Sequence, residues 1–310
     1  MTDSSIRVRP ATRDDFEAIE RVAAANDEPT TAPRWPGYLY LDHLLETATL
    51  LVAERDGKIT GFAGAAIVGG RRPAAHVTDL FVDPAAHGQG AGGRLLRGLF
   101  EAIDVTDWTT SSSSDARAMT LYVRAGMQPL WPVLYLEAPL ILPEVAPPGG
   151  GRRPGSDRGP GGVRTRDLDP AVASTLELEW SGRDFAAQYR HWSSRPGGTA
   201  FVVEVDGRAV AVGAARDGRM GPGRVLDHLA MAPDAEPGPA LVAALESDAV
   251  RGTSSELDPG ARLTFAIPGP SPAVARLLAS AWRITDHDTF CATAPDLVAP
   301  ARIVPDPSLG

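Results

Sequence analysis

The stretch His76-Val77-Thr78-Asp79-Leu80-Phe81-Val82-Asp83-Pro84-Ala85-Ala86-His87-Gly88-Gln89-Gly90-Ala91-Gly92-Gly93-Arg94-Leu95-Leu96 decides the reading of this chain. An apolar strand, Ala75–Val82, runs into a turn that holds Gly88, Gly90, Gly92 and Gly93. A helix follows at once, with Leu95, Leu96 and Leu99 on one face. Glycine has no Cβ, so the backbone can approach a ligand closely and take positive φ. A helix start presents unpaired N–H groups at the positive end of its dipole, which suits a pyrophosphate. A nucleotide P-loop would end in Gly-Lys-Ser/Thr, and no lysine is present here. A dinucleotide fingerprint would sit at the first strand of a βαβ unit, with an acidic residue about 20 positions on. This loop instead follows the fourth strand of a largely antiparallel series. On the loop alone, a glycine turn without a ligand is the remaining alternative.

Outward from the loop, the chain reads as a repeat. Ile6–Pro10 is strand-like, and Thr12–Asp15 caps an amphipathic run through Ile19 and Val22. Thr49–Glu54, Asp56-Gly57 and Lys58–Val68 read as a β-hairpin. The order recurs downstream: Val163–Arg166, then Phe201–Val205, Asp206-Gly207 and Arg208–Ala215, then Arg224–Met231, Ala232-Pro233 and a helical run after Pro239. Strand, helix, hairpin, strand, turn and helix in one order indicate a duplicated domain. Between the copies, 12 of the 20 residues from Pro143 to Gly162 are Gly or Pro, the composition of a linker. The expected organisation is a domain over 1–142, a linker over 143–162, a second domain over 163–300 and a tail over 301–310.

Composition narrows the class. The 310 residues are 43% hydrophobic and 22% charged, as in a globular protein with a substantial core. A net charge of −9 argues against a nucleic-acid partner, which needs a basic face. The single cysteine, Cys291, excludes an internal disulfide framework and a multi-thiolate zinc site. The first residues carry no apolar signal segment, and no apolar run reaches the roughly 18 residues of a membrane span. A cytoplasmic protein with no membrane partner is expected. Of 30 basic residues only Lys58 is a lysine, and the scatter of the arginines points to compositional bias.

The loop and a second motif downstream together resemble the GNAT-type N-acetyltransferases. In that family the acetyl-CoA loop has the form Arg/Gln-x-x-Gly-x-Gly/Ala after a strand ending Leu-x-Val. Here Leu80-Phe81-Val82 ends the strand and His87-x-x-Gly90-x-Gly92 is the loop. The second signature, Asn-x-x-Ala-x-x-Leu-Tyr-x-x-x-Gly-Phe, is matched by Asp115-Ala116-Arg117-Ala118-Met119-Thr120-Leu121-Tyr122-Val123-Arg124-Ala125-Gly126-Met127. The resemblance spans Ile6 to about Leu140. It implies an α/β (α+β) fold, here as two tandem GNAT folds, each a mixed and mostly antiparallel sheet flanked by helices.

The same resemblance implies acetyl-CoA as acyl donor, held by Leu80, Phe81, Val82, His87, Gly88, Gln89, Gly90, Ala91, Gly92 and Gly93 with Asp115 and Tyr122. His87 departs from the usual Arg or Gln, at a position that the family uses through its main chain. Asp115 departs from the usual Asn, which weakens a contact to the pantetheine arm. The backbone N–H of Val82 is the expected donor to the thioester oxygen. Tyr122 is the expected general acid at sulfur, with a packed core tyrosine as its other reading. Asp79 is the candidate general base, or else a structural hydrogen-bonder, on a strand face shared with Val77 and Phe81 by alternation. His76 is a weaker candidate, and Ser111–Ser114 could bond the pantetheine amides. The segment Asn26–His43, with Trp35, Tyr38, Tyr40, Asp27, Glu28 and Asp42, is expected to bound an acceptor site for a cationic amine with an apolar body, or to be a loop packed on the core.

In the second copy, Pro239 aligns with Gly90 and Leu241 with Gly92, and Leu277 stands in the place of Tyr122. Proline removes an N–H donor and leucine fills space, so this half is expected to have lost its cofactor site. The expectation is one working N-acetyltransferase domain acting on a small-molecule amine by direct attack in a ternary complex. The chain would be a monomer with an internal pseudo-dimer, or a homodimer. A non-catalytic acyl-CoA sensor is the rival from another class.

Overall fold

The structure, a computed structural model, describes residues 6–35, 37–140, 162–252 and 258–310. The expected linker lies outside these residues except for Gly162. The first part of the chain runs β1 (Arg7–Pro10), α1 (Phe16–Ala24), α2 (Leu39–Thr47), β2 (Ala48–Arg55), β3 (Lys58–Gly70), β4 (Ala74–Val82), α3 (Ala91–Ala102), β5 (Asp107–Ser112), α4 (Ala116–Arg124) and β6 (Gln128–Pro139). The second part runs β7 (Val163–Leu168), α5 (Pro170–Ser181), β8 (Arg183–Asp184), α6 (Ala186–Ser194), β9 (Thr199–Val205), β10 (Arg208–Asp217), β11 (Gly223–Met231), α7 (Pro237–Leu245), α8 (Asp248–Arg251), β12 (Arg262–Pro268), α9 (Val274–Leu278), β13 (Arg283–Ala292) and β14 (Ile303–Val304). No helix among the described residues is long and apolar enough to cross a membrane.

Local chemistry explains the elements. Both expected hairpins form, and their turns are Asp-Gly pairs with positive φ at both residues: 51° and 73° at Asp56-Gly57, 52° and 78° at Asp206-Gly207. That is the turn whose twist suits a two-residue hairpin. Helix α1 buries Phe16, Ile19, Val22 and Ala23 along one stripe. Asp15 fixes its approach by accepting the Thr12 N–H at 2.8 Å and pairing with Arg9 at 2.7 Å. That guanidinium holds the Asp15 carboxyl down at about 2.

The chain forms two compact units, and neither is contiguous in sequence. Unit 1 holds Met1–Trp131, Asp288–Leu297 and Pro307–Gly310; unit 2 holds Pro132–His287 and Val298–Asp306. In unit 1 the strands run β1-β2-β3-β4-β5-β13, antiparallel except for the parallel β4–β5 pair. In unit 2 they run β7-β9-β10-β11-β12-β6, antiparallel except for the parallel β11–β12 pair. Each unit is thus the expected mixed, mostly antiparallel sheet with helices, and the two have one topology.

The expected boundaries need correcting on three points. Residues 133–139, assigned from sequence to the first domain, pair with β12 in unit 2. Residues 289–292, assigned to the second, pair with β5 in unit 1. Nor is 301–310 a loose tail. β14 pairs with β11 in unit 2, and Leu309 is buried in unit 1.

One irregularity positions the site. Along β3–β4, Gly64 pairs with Asp79 and Ala65 with Val77, so Thr78 is an extra residue in β4, a β-bulge. A Cβ on Gly64 would overlap the Thr78 hydroxyl. Glycine is required there by close approach, not by backbone angle. Replacing Gly64 with alanine is expected to destabilise the chain by about 1–3 kcal/mol, with most of the loss recovered in the Gly64→Ala/Thr78→Ala double variant. Denaturant midpoints of the four proteins test this; equal losses in both backgrounds would separate Gly64 from the bulge.

Candidate functional site

The bulge turns β4 over halfway along. Before it, Ala75 and Val77 belong to the core cluster of Leu95, Leu96, Leu99 and Tyr122, under α3 and α4. After it, Leu80 and Val82 pack against that same cluster, while the Phe81 ring meets Phe62 at 5.6 Å. The expectation that Val77, Asp79 and Phe81 share a face is therefore corrected. Asp79 and Phe81 point to the opposite side, where the Tyr40 hydroxyl of α2 donates to Asp79 Oδ2 at 2.7 Å and Thr78 Oγ1 donates to the same oxygen at 2.9 Å. The segment Asn26–His43 and the candidate base thus meet directly through Tyr40.

The parallel ladder between β4 and β5 ends at the same place. Its last pair is Val77 with Thr110, immediately before the extra residue. Beyond it the two strands are no longer hydrogen-bonded to each other. Asp83 N donates to Thr60 O of β3 at 2.9 Å, so by alternation the N–H of Val82, one residue earlier, points away from β3 into that opening. The end of β4 is also clamped. Val82 O accepts from His87 Nε2 at 2.9 Å and from Asn26 Nδ2 at 3.2 Å.

Tyr122 comes to the same opening from α4. It is buried, and its hydroxyl hydrogen-bonds Thr110, the residue at which the ladder stops. Burial pushes the phenol well above its ordinary value; the Thr110 bond works the other way, and negative charge at Asp79 and Asp288 adds to the upward shift. Cys291 lies on the same side of the sheet, in the same core cluster, with Sγ 3.8 Å from Met119 Sδ. Burial pushes its thiol up to about 11, so it is a neutral packing group and not a thiolate nucleophile.

The glycine loop has the conformation its composition requires. Gly88 and Gly90 have φ of 75° and 86°, and Gly90 is the N-cap of α3. No side chain caps that helix. The N–H groups of Ala91, Gly92 and Gly93 form its first turn and have no partner within the helix. Gly92 packs under Leu121 of α4, where a Cβ would come within 3.2 Å of that side chain. Gln89 accepts from Arg55.

His87 and Asp115 have roles not expected from sequence. A carbonyl only accepts, so His87 Nε2 carries the ring proton toward Val82 O, and Nδ1 accepts from Arg117 Nη1 at 2.6 Å. Arg117 in turn pairs with Asp115 at 2.7 Å, and Asp115 caps α4 by accepting Arg117 N at 2.8 Å. Its carboxyl is lowered chiefly by that guanidinium. Asp115, Arg117 and His87 therefore tie the start of α4 to the end of β4. His76 is buried with both ring nitrogens engaged, by Thr109 Oγ1 at 2.9 Å and Pro307 O at 3.0 Å, which makes it a structural side chain. Of the serines, Ser111 pairs with Phe290 of β13, and Ser112 donates to Ser113 O.

Unit 2 differs in its loop, its helix start and the residue in the place of Tyr122. Its loop from β11 to α7 spans 232–236, five residues, against eight (83–90) between β4 and α3. The expected alignment there shifts by three. Glu236 is the N-cap in the place of Gly90, Pro237 and Pro239 stand at Ala91 and Gly93, and Leu241 matches the core residue Leu95 rather than Gly92. The two prolines remove two of the three first-turn donors, and the N-cap is acidic. Leu277, six residues before β13, matches Tyr122, six before β6. β11 keeps a bulge, at Asp227, and His228 takes the register position of Asp79. That imidazole is buried, stacked on Trp192 with centroids 4.8 Å apart, and bonded through Nε2 to Glu177 at 2.9 Å.

Residues 12–127 match the family model described as acetyltransferase (GNAT) family. Among solved structures the chain resembles a Pyrococcus horikoshii protein described as an acetyltransferase, at 16% identity and a TM-score of 0.66, covering 100% of this chain and 98% of that one. It also resembles a tandem GNAT protein from the clavulanic acid biosynthesis pathway, at 16% identity and a TM-score of 0.58 over 94% and 100% of the two chains. A GCN5-related N-acetyltransferase from Sphaerobacter thermophilus gives 15% identity and a TM-score of 0.56 over all of both chains. No curated protein matches the sequence. At these identities the solved structures establish the shared fold.

The contrast between α3 and α7 generates a prediction. Gly93→Pro recreates the Gly238-Pro239 dipeptide that α7 already carries at the same helix position, so α3 is expected to form with one donor fewer. Titration calorimetry is expected to show acetyl-CoA binding weakened by about 10-fold or more, the effect of one lost hydrogen bond to a charged group. Unchanged affinity would exclude that N–H from the site.

Proposed function

Residues 12–127 are a domain of the GNAT acetyltransferase family, and from that premise we propose an acetyl-CoA-dependent N-acetyltransferase with its working site in unit 1 and a small cationic primary amine as acceptor. The reading is carried by one observation. The β4–β5 ladder ends at Val77 and Thr110, and Thr110 is the residue that holds the buried Tyr122 hydroxyl.

The residues present fit an acyl-CoA. The first-turn N–H groups of α3 suit its pyrophosphate, and open space around Gly88 and Gly90 lets that group lie against the backbone. Leu80, Phe81 and Val82 line the parted strand, where the N–H of Val82 is the donor for a thioester oxygen. Bound there, acetyl-CoA supplies an activated acetyl group. Asp79, oriented by Tyr40 and Thr78, takes the proton that the attacking amine loses. Tyr122, held protonated by burial, keeps a proton available for the departing sulfur. Direct attack in a ternary complex is the route proposed, and the burial of the Cys291 thiol against Met119 supports it over a covalent intermediate on that sulfur. The acidic balance of the first 145 residues, 19 acidic against 13 basic, favours a cationic acceptor.

Calorimetric titration with acetyl-CoA tests the assignment of the donor site. One site per chain is expected, since Pro237 and Pro239 remove donors from α7. Two sites would restore unit 2 as a working copy, and no binding would end the proposal. Tyr122→Phe is expected to lower kcat by about 100-fold or more while leaving acetyl-CoA affinity within about twofold. Full turnover in that variant would reduce Tyr122 to a packing residue. Acetyl-CoA binding without transfer to any amine would favour the sensor reading.

A further inference from the structure

We propose that residues 302–304 are a built-in occupant of the acyl-donor slot of unit 2. The Arg302 carbonyl takes on β11 the hydrogen bond that a thioester oxygen would take on β4, and the slot is closed to any other donor. This rests on the acetyltransferase reading of unit 1 and names what fills the matching place in unit 2.

Register makes the two strands comparable residue by residue. In unit 2 Ala214 pairs with His228 and Ala215 with Leu226, so Asp227 is the extra residue, as Thr78 is in β4. Counted from the bulge, Leu229, Ala230 and Met231 stand where Leu80, Phe81 and Val82 stand. Ala232 N donates to Val210 O at 3.0 Å, just as Asp83 N donates to Thr60 O. By alternation the N–H groups of Leu229 and Met231 point away from β10, as those of Leu80 and Val82 point away from β3. β12 does not meet them, since its last pair with β11 is Val225 with Thr264, before the bulge. β11 is therefore parted from its parallel neighbour over the same stretch as β4.

On β11 that opening is filled. β14 runs antiparallel to it, with Val304 opposite Leu229 and Ile303 opposite Ala230. Met231 N donates to Arg302 O at 3.0 Å. Hydrogen-bonded pairs alternate with pairs that are not, so in this register the Leu229 N–H meets the Val304 carbonyl. Both donors that β4 holds out to a ligand are thus taken on β11 by main-chain carbonyls. The pantetheine arm of CoA is likewise an extended chain with amide carbonyls, so a peptide strand is its chemical stand-in. The segment is fastened at three points. The Arg302 guanidinium donates to Ala232 O at 2.7 Å and to Ala235 O at 3.1 Å, in the loop just before the cap of α7. Val304 is buried in the core cluster of Leu229, Met231 and Leu241. Asp306 accepts the Trp192 indole N–H at 2.8 Å. A donor entering unit 2 would have to break these bonds and uncover Val304 before it met β11. Two separate changes therefore disable this half: the prolines remove donors for a pyrophosphate, and residues 302–304 occupy the place of the arm and the acyl oxygen.

Amide hydrogen exchange, followed residue by residue on the full chain with and without saturating acetyl-CoA, tests this. In the free chain Leu229 and Met231 are expected to exchange about 100-fold or more slowly than Leu80 and Val82. Acetyl-CoA is expected to slow Leu80 and Val82 and to leave Leu229 and Met231 unchanged. The Arg302→Ala/Val304→Pro variant removes the guanidinium tie and the Val304 N–H. It is expected to speed exchange at Leu229 and Met231 by about tenfold or more, with Leu80 and Val82 unaffected. Exchange at Leu229 and Met231 as fast as at Leu80 and Val82 in the free wild type would overturn the proposal. So would protection there that appears only with acetyl-CoA. Thermal unfolding shows whether the double variant folds; if it does not, Arg302→Ala alone, which keeps the buried Val304, carries the comparison. In Pro237→Ala/Pro239→Gly the start of α7 regains the donors of α3, and one acetyl-CoA per chain is still expected. A second site in that variant would overturn the closure of the slot. Protection of Leu229 and Met231 throughout, with no change at Leu80 and Val82 on adding acetyl-CoA, would overturn the acetyltransferase reading of unit 1 while leaving residues 302–304 seated on β11.

Discussion

The site depends on one extra residue in one strand. Thr78 has no partner of its own in the ladder to β3, and that single insertion does three things. It ends the hydrogen bonding between β4 and β5, it brings Asp79 and Phe81 to the side of α2, and it leaves Leu80 and Val82 on the core side. A regular strand would put Asp79 beneath α3, among Leu95, Leu96 and Leu99, where an ionised carboxylate is costly without partners. The bulge replaces that cost with bonds from Tyr40 and Thr78. It also leaves backbone N–H groups of β4 without a strand partner, which an isolated sheet would not tolerate in its interior. A strand opened in this way is stable only where something else satisfies those groups, and an acyl donor lying along β4 would do so.

The surroundings hold the opening in shape. Val82 O, at the exit of the strand, takes two side-chain donors, one from the α1 end through Asn26 and one from the loop through His87. His87 can donate there only because Arg117 fixes its tautomer by donating to the other ring nitrogen. Arg117 is held by Asp115, the cap of the helix that carries Tyr122. The relay from Asp115 to Val82 thus couples the helix of the candidate acid to the strand of the candidate oxyanion donor. Unit 2 has a bulge at the equivalent strand, so a bulge alone does not make a site. There the register position of Asp79 is occupied by a buried imidazole stacked on Trp192, and the helix beyond has two prolines where donors are needed.

What was legible in the sequence follows physical period and turn chemistry. The Asp56-Gly57 and Asp206-Gly207 hairpins, the glycine helix start and the order of the repeat are local signals, and each appears where expected. The face of Asp79 was not legible, because alternation assumes an unbroken strand and nothing in Val77-Thr78-Asp79 marks Thr78 as surplus. Gly64, across the ladder, is the nearest sequence trace: an apolar strand keeps a glycine because a hydroxyl packs over it. The register of α7 is not legible from the Ala232-Pro233 turn, because the loop that follows it is three residues shorter than its counterpart. Proline is at home in a first helical turn, so the helix begins three residues earlier. The partners of Tyr122 were hidden for a different reason. Asp288 and Cys291 lie more than 160 residues away, and no local pattern reports a strand that joins the other unit.

That exchange bears on what the second part of the chain does for the first. In unit 1 the strand next to β5 is residues 289–292; in unit 2 the strand next to β12 is residues 133–139. Each sheet is therefore finished by a strand from the other part of the sequence. Without residues 289–292, β5 would be an edge, with unpaired groups on the strand that carries Thr110 and next to the helix of Tyr122. Trp131 would lose the Phe290 ring stacked on it, and the core cluster would lose Cys291. Losing the second part of the chain would thus cost the first part its sheet order at the one place where order sets the position of the candidate acid. Delivering β13 in register is a service of packing, and it places no demand on the residues at the start of α7 or on α9.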